Sequence, residues 1–111
     1  MQETNEALVY RLADIAALAQ LQFQQQFEHI DPIIGVNRQM RAQGFAVDLL
    51  TIECAVTKKR ITLLIEDGKP QQVQYQFGRA DQDPSGEFES VMLTELDQQR
   101  FFELMVAGLA K

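Results

Sequence analysis

The sequence is poor in the residues that most often mark a known chemistry. Its 111 residues include no tryptophan, one cysteine and one histidine. Cys54 alone cannot form a disulfide within the chain, and a lone cysteine is typical of a reducing compartment. A conventional nucleophile–histidine–carboxylate triad would have to recruit His29, which is expected at the end of a helix. We therefore expect a cytoplasmic protein, and the sequence indicates no cofactor.

Long apolar runs and positive charge are also scarce. No run of 18 apolar residues occurs, and the first six residues are acidic where a secretory signal would be basic. The 16 acidic and 10 basic residues give a net charge of −6, and the excess is shared evenly between residues 1–50 and 51–111. Binding to nucleic acid or an anionic membrane needs cationic neutralisation of phosphates. We therefore expect neither kind of partner.

What the sequence does contain is the composition of an ordinary globular domain. Hydrophobic residues make up 46% of the chain and charged residues 23%, which excludes a disordered chain. The length is close to that of a typical single domain. We therefore predict one domain over residues 1–111.

The amino-terminal segment is predicted to be a long helix. Residues 4–29 contain neither glycine nor proline, Thr4 is a plausible N-cap, and helix-favouring residues dominate. Apolar residues with helical spacing share about a third of the circumference; they are Leu8, Leu12, Ile15, Ala16, Ala19, Phe23, Phe27 and Ile30.

Asp31 and Pro32 predict the end of this helix, because proline disfavours helical geometry at the preceding residue. The same pair favours the start of a second helix, with Asp31 as its N-cap. Ile33, Val36 and Met40 would share its apolar face, and Gly44 would follow its last turn. We predict a short second helix here.

From Val47 to Phe77 the apolar period changes to two. Three strands are predicted, joined by a turn at Lys58-Lys59 and a hairpin at Asp67-Gly68-Lys69. Residues 88–93 could supply a fourth strand. A carboxyl-terminal helix would begin at Thr94, with an apolar stripe made of Phe101, Phe102, Met105 and Leu109. The predicted fold class is α+β: three or four antiparallel strands with both long helices on one face.

One loop has a weak likeness to a cation site. Asp81, Asp83 and Glu87 supply oxygen ligands on a turn, as at the start of a calcium-binding loop. The twelfth position, where a bidentate carboxylate is required, is Met92, and the flanking segments are not predicted to be helices. A solvent-exposed connection is the alternative.

The long helix suggests a contact surface. Twenty-six helical residues would span about 39 Å, whereas a sphere with the expected radius of gyration would be only about 34 Å across. The helix would then project beyond the domain. Tyr10, Leu18 and Leu21 lie away from its main apolar stripe, which makes them candidate interface residues.

Two hypotheses about function follow. The first is a non-catalytic protein-binding module, adaptor, chaperone-like or immunity-type, that binds another protein or a second copy of itself as a homodimer. The general outline of the chain is similar to that of bacterial secretion chaperones and toxin-immunity proteins. The second is a small enzyme or ligand-binding protein with a carboxylate-lined pocket that holds a cation.

Overall fold

Five strands form one antiparallel sheet in which each strand pairs with the next along the chain. The computed structural model describes residues 7–82 and 86–110, so the predicted cap at Thr4 lies outside the described residues. Both long helices pack on the sheet, which confirms the predicted α+β class. The elements are α1 (Leu8–Gln26), β1 (Pro32–Asn37), α2 (Gln39–Ala42), β2 (Val47–Cys54), β3 (Lys59–Glu66), β4 (Gln72–Arg79), β5 (Glu89–Met92) and α3 (Gln98–Leu109).

The strand β1 is a correction to the prediction of a helix that begins at Pro32. The segment pairs antiparallel with β2, and only Gln39–Ala42 is helical. Its β-branched residues favour extended backbone, and Gly35 disfavours a helix. The spacing of Ile33, Val36 and Met40 therefore matched that of a helix by coincidence. The sheet has five strands instead of three or four for this reason.

The ends of both long helices also differ from the prediction. The described helix α1 ends at Gln26 and has 19 residues, which corresponds to about 28 Å. The longest extent of the structure is 41 Å, so this helix is shorter than the domain and the length argument for an overhanging helix fails. Helix α3 begins at Gln98, not at Thr94, because the carboxylate of Asp97 caps it by accepting a hydrogen bond from the Arg100 amide at 2.9 Å.

The core lies between the two helices and one face of the sheet. The alternating residues of β2 confirm the predicted pattern, since Leu50, Ile52 and Cys54 are buried on the helical side. Helices α1 and α3 also contact each other, with the Phe23 ring 6.3 Å from the Phe102 ring. The fold therefore has two layers. Among the described elements, no helix packs on the opposite face of the sheet.

A close approach of helix α3 to the sheet depends on Gly108. A Cβ atom built at this position would lie 2.7 Å from Cγ1 of Ile61 and 2.8 Å from Cδ1 of Phe77. Both distances are shorter than carbon atoms tolerate. The absence of a side chain therefore lets the last turn of α3 rest directly on β3 and β4.

We expect Gly108→Ala to lower the free energy of unfolding by about 1–3 kcal/mol, because the clash exceeds the helix-propensity gain of about 1 kcal/mol. Chemical denaturation would measure the change. Gly78→Ala is the matched control, since a Cβ atom there meets nothing within 4 Å. An unchanged or raised stability for Gly108→Ala would contradict this account of the packing.

Candidate functional site

The side of α1 opposite the core presents large apolar side chains to solvent. Tyr10 is 43% exposed, Leu18 is 54% exposed and Leu21 is 63% exposed. On the other side of the same helix, Val9 and Phe23 are fully buried. All three candidate interface residues are therefore accessible on the surface of α1.

Contacts on either side of α1 show how the helix is oriented. Nε2 of Gln20 donates to the Pro32 carbonyl at 2.7 Å, and Nε2 of Gln24 donates to Asp31 at 2.8 Å. These two residues mark the flank of the helix that borders β1. Gln22 accepts a hydrogen bond from Gln98 at 3.2 Å and marks the flank next to α3.

The candidate residues divide between these two sides. At about 100° per residue, Ala13 and Ala17 fall on the flank that borders β1, and Tyr10 and Leu21 lie about 40–60° beyond Gln24 toward solvent. Leu18 is turned about 60° further round, toward α3. The three residues are all exposed, and Tyr10 and Leu21 lie nearer than Leu18 to the flank that borders β1.

Next to Tyr10 lies a cluster of charged residues that sequence reasoning did not identify. Asp48 belongs to the inward-facing register of β2 and is only 3% exposed. Its Oδ1 accepts hydrogen bonds from Nε of Arg38 at 3.0 Å and from Nε of Arg41 at 2.9 Å. Arg41 also binds both carboxylate oxygens of Asp67, at 2.8 and 3.1 Å. The cluster therefore connects α2 to β2 and to the hairpin that joins β3 and β4.

The electrostatics of the cluster favour the charged forms. Burial alone would raise the pKa of Asp48, but the hydrogen bonds from Arg41 and Arg38 outweigh it and lower that pKa. The hydrogen bonds that Arg41 donates to Asp67 and Asp48 raise the pKa of Arg41. All members are therefore ionised at neutral pH, and two positive charges balance two negative ones.

Arg38 connects this cluster to α1. Its guanidinium carbon lies 5.4 Å from the centre of the Tyr10 ring, within the range of a cation–π contact. Asn37, immediately before it, accepts a hydrogen bond from the amide of Gln39 at 2.9 Å. The carboxyl end of β1 is thereby fixed to the amino-terminal half of α1.

A cleft of about 300 Å³ lies beside the cluster and is the nearest match to the hypothesised carboxylate-lined pocket. Its carboxylates are Asp48, Glu66 and Asp67. The first and third bind arginines, and Oε1 of Glu66 is 3.8 Å from Nζ of Lys69. A cationic ligand would have to compete with these partners. The ligand-binding hypothesis thus stays a prediction.

We expect Asp48→Asn to lower the free energy of unfolding by about 2 kcal/mol, because it leaves two arginines without a buried counter-charge. The folded pKa of Asp48 is below its unfolded value, so its stabilisation is complete above about pH 4 and is lost as the pH falls through the folded pKa. The difference between wild type and variant should therefore shrink below about pH 4. Denaturation at several pH values would measure it.

Asp67→Asn is the matched control for that experiment. Its carboxylate binds the same Arg41, but its side chain is 57% exposed, so the expected loss is below about 1 kcal/mol. Equal losses for the two variants would show that burial of Asp48 does not matter.

The acidic loop gives little support to the predicted cation site. The Asp81 carboxylate is bound by Arg79 through two contacts of 3.0 Å, and these hydrogen bonds lower its pKa. Glu87 is described, but Asp83 lies outside the described residues. Within residues 7–82 and 86–110, no group of three or more histidine, cysteine, aspartate or glutamate side chains could hold a metal ion.

Two further reactive side chains among the described residues, Cys54 and His29, have different surroundings. Cys54 is 2% exposed in the core, and a hydrogen bond with Thr57 lowers the pKa of its thiol. His29 is exposed in the turn after α1. Within the described ranges, no helix has the length and apolar character needed to cross a bilayer.

A comparison of this chain with known protein families, curated proteins and solved structures found no match. The case for function therefore depends on its own surfaces. The charged cluster was missed because Arg38 and Arg41 were expected on a helix that begins at Pro32, and because Asp67 is 26 residues from Arg41. One available signal was Asp48, an acidic residue at an inward position of a predicted strand.

Proposed function

We propose that this chain is a protein-binding module that functions as a homodimer and acts by presenting a surface. The observation that supports this proposal is the exposure of Leu18 and Leu21 on a helix whose opposite side is completely buried. The single buried cysteine is compatible with the cytoplasm as its location.

Charge supports the choice of this surface. Two copies of a chain with a net charge of −6 repel each other, so association needs a region with few charges. Along the exposed side of α1, Ala17, Leu18 and Leu21 form an uncharged stretch. The carboxylate nearest to them in sequence is Asp14, one turn away.

We expect the double variant Leu18→Gln/Leu21→Gln to weaken dimerisation by about tenfold or more, because each leucine buries apolar surface in both protomers. Glutamine has a helix propensity close to that of leucine, so α1 should remain intact. Light scattering across a dilution series would measure the dissociation constant, and circular dichroism would verify the helix.

The control for this test is Val56→Gln. Val56 is 86% exposed in the turn after β2, so this variant removes an exposed apolar side chain away from α1. We expect dimerisation of this variant to equal that of wild type. A wild-type chain that stays monomeric throughout the series would contradict the proposed function.

A further inference from the structure

The outer edge of β1 carries backbone groups with no partner among the described residues. The Asp67 amide donates to the Ala46 carbonyl at 3.0 Å, which fixes the alternation of hydrogen bonds across the sheet. From that bond and the strand registers, Ile33, Gly35 and Asn37 direct their backbone groups toward β2. Ile34 and Val36 direct theirs away from the sheet.

Some of the outward backbone groups on this edge have a hydrogen-bond partner and others do not. Pro32 has no amide hydrogen, and its carbonyl accepts the hydrogen bond from Gln20. For the amides and carbonyls of Ile34 and Val36, the described part of the chain contains no hydrogen-bond partner. Two donors and two acceptors therefore remain along an edge of about 20 Å.

Charge distinguishes this edge from the other edge of the sheet. The strand β1 has the sequence PIIGVN and carries no charge. The opposite edge strand, β5, is shorter and includes Glu89, so pairing two β5 strands would bring like charges together. In an acidic chain, β1 is the edge that two copies can share at the lower electrostatic cost.

We infer that β1 pairs with β1 of a second copy, in antiparallel orientation about a two-fold axis at Gly35, to give one continuous ten-stranded sheet. This inference rests on the proposed homodimer and specifies its interface. In this register, Ile34 of each protomer lies opposite Val36 of the other. Each such pair exchanges two N–H···O=C bonds, so the two-fold axis satisfies all four donors.

The position of α1 is compatible with this arrangement. The helix rests over β1 and β2, so two copies related by this axis would have their α1 axes about two strand spacings apart, or about 10 Å. That separation is within the usual range for packed helices. The small residues Ala13 and Ala17 lie on the flank that faces the second copy, and Tyr10 lies opposite Leu21 of the other protomer.

The expected interface is modest in size. Its length is that of α1, about 28 Å, and its height is that of a helix and a strand, about 20 Å. The area is therefore about 1,100 Å² for both protomers together, at the lower end of specific interfaces. We expect a dimer that dissociates on dilution.

Amide hydrogen exchange on the wild-type chain tests the interface without any substitution. In the dimer, the amides of Ile34 and Val36 should be protected, and this protection should disappear on dilution into monomer. The Gly35 amide, which bonds to β2, should stay protected at all concentrations. A dimer in which Ile34 and Val36 exchange freely would overturn the inference and leave the proposed function intact.

Variants provide an independent test. Val36→Pro removes one outward amide in each protomer and should weaken dimerisation about tenfold or more. Ser90→Pro is the matched control, because the register of β5 also directs the Ser90 amide away from the sheet; its dimerisation should be unchanged. Equal weakening by both variants would overturn the assignment to β1.

A final comparison separates the two flanks of α1. Leu21→Gln should weaken the dimer more than Leu18→Gln does, because Leu21 lies nearer to the flank of α1 that borders β1. The reverse order would contradict the shared-edge interface while supporting a dimer formed by the outer side of α1. A chain that is monomeric at every concentration would overturn both this inference and the proposed function.

Discussion

The arrangement of the amino-terminal half depends on one buried carboxylate. Asp48 occupies an inward position of β2, where neighbouring strand residues are apolar. A charge at 3% exposure is tolerated only if it is paired and hydrogen-bonded, and both arginines that pair with it come from the segment between β1 and β2. That requirement fixes the short connection around α2 against the sheet.

The consequences of this pairing extend to α1. When Nε of Arg38 is bound to Asp48, its guanidinium also lies over the Tyr10 ring. The hydrogen bond from Gln20 to the Pro32 carbonyl fixes the other end of β1 to the same helix. The strand β1 is therefore attached to α1 at both ends, while the outward backbone groups of Ile34 and Val36 have no hydrogen-bond partner among residues 7–82 and 86–110.

Local patterns predicted much of this fold, and nonlocal interactions account for the errors. The period of two between Val47 and Phe77 predicted three strands correctly, because both turn chemistry and alternation agreed. The segment from Pro32 to Asn37 was mistaken for a helix because three apolar residues happened to match helical spacing. Pairing with β2 and the loss of helix propensity at Gly35 decided its conformation, and neither the partner strand nor its register can be derived from six residues alone.

The candidate surface shows the same division. Periodicity identified Tyr10, Leu18 and Leu21 as residues away from the core stripe, and all three are exposed. The argument from helix length was wrong, because α1 ends at Gln26. Which of the three lie nearer to β1 follows from Gln20 and Gln24, whose partners Pro32 and Asp31 lie where a second helix was expected to begin.

The composition of β1 limits the ways in which its outer edge can pair with another strand. Free edges are aggregation-prone, and natural proteins limit them with short strands and proline. With Pro32 at its start, β1 has only two outward amides. Few registers therefore let a partner strand form hydrogen bonds with both. A register that places Ile34 opposite Ile34 of the second copy, or Val36 opposite Val36, uses fewer of the outward groups of these residues than the register centred on Gly35. The features that protect this edge from indiscriminate contact are therefore compatible with the inferred partner, a second copy of the same strand.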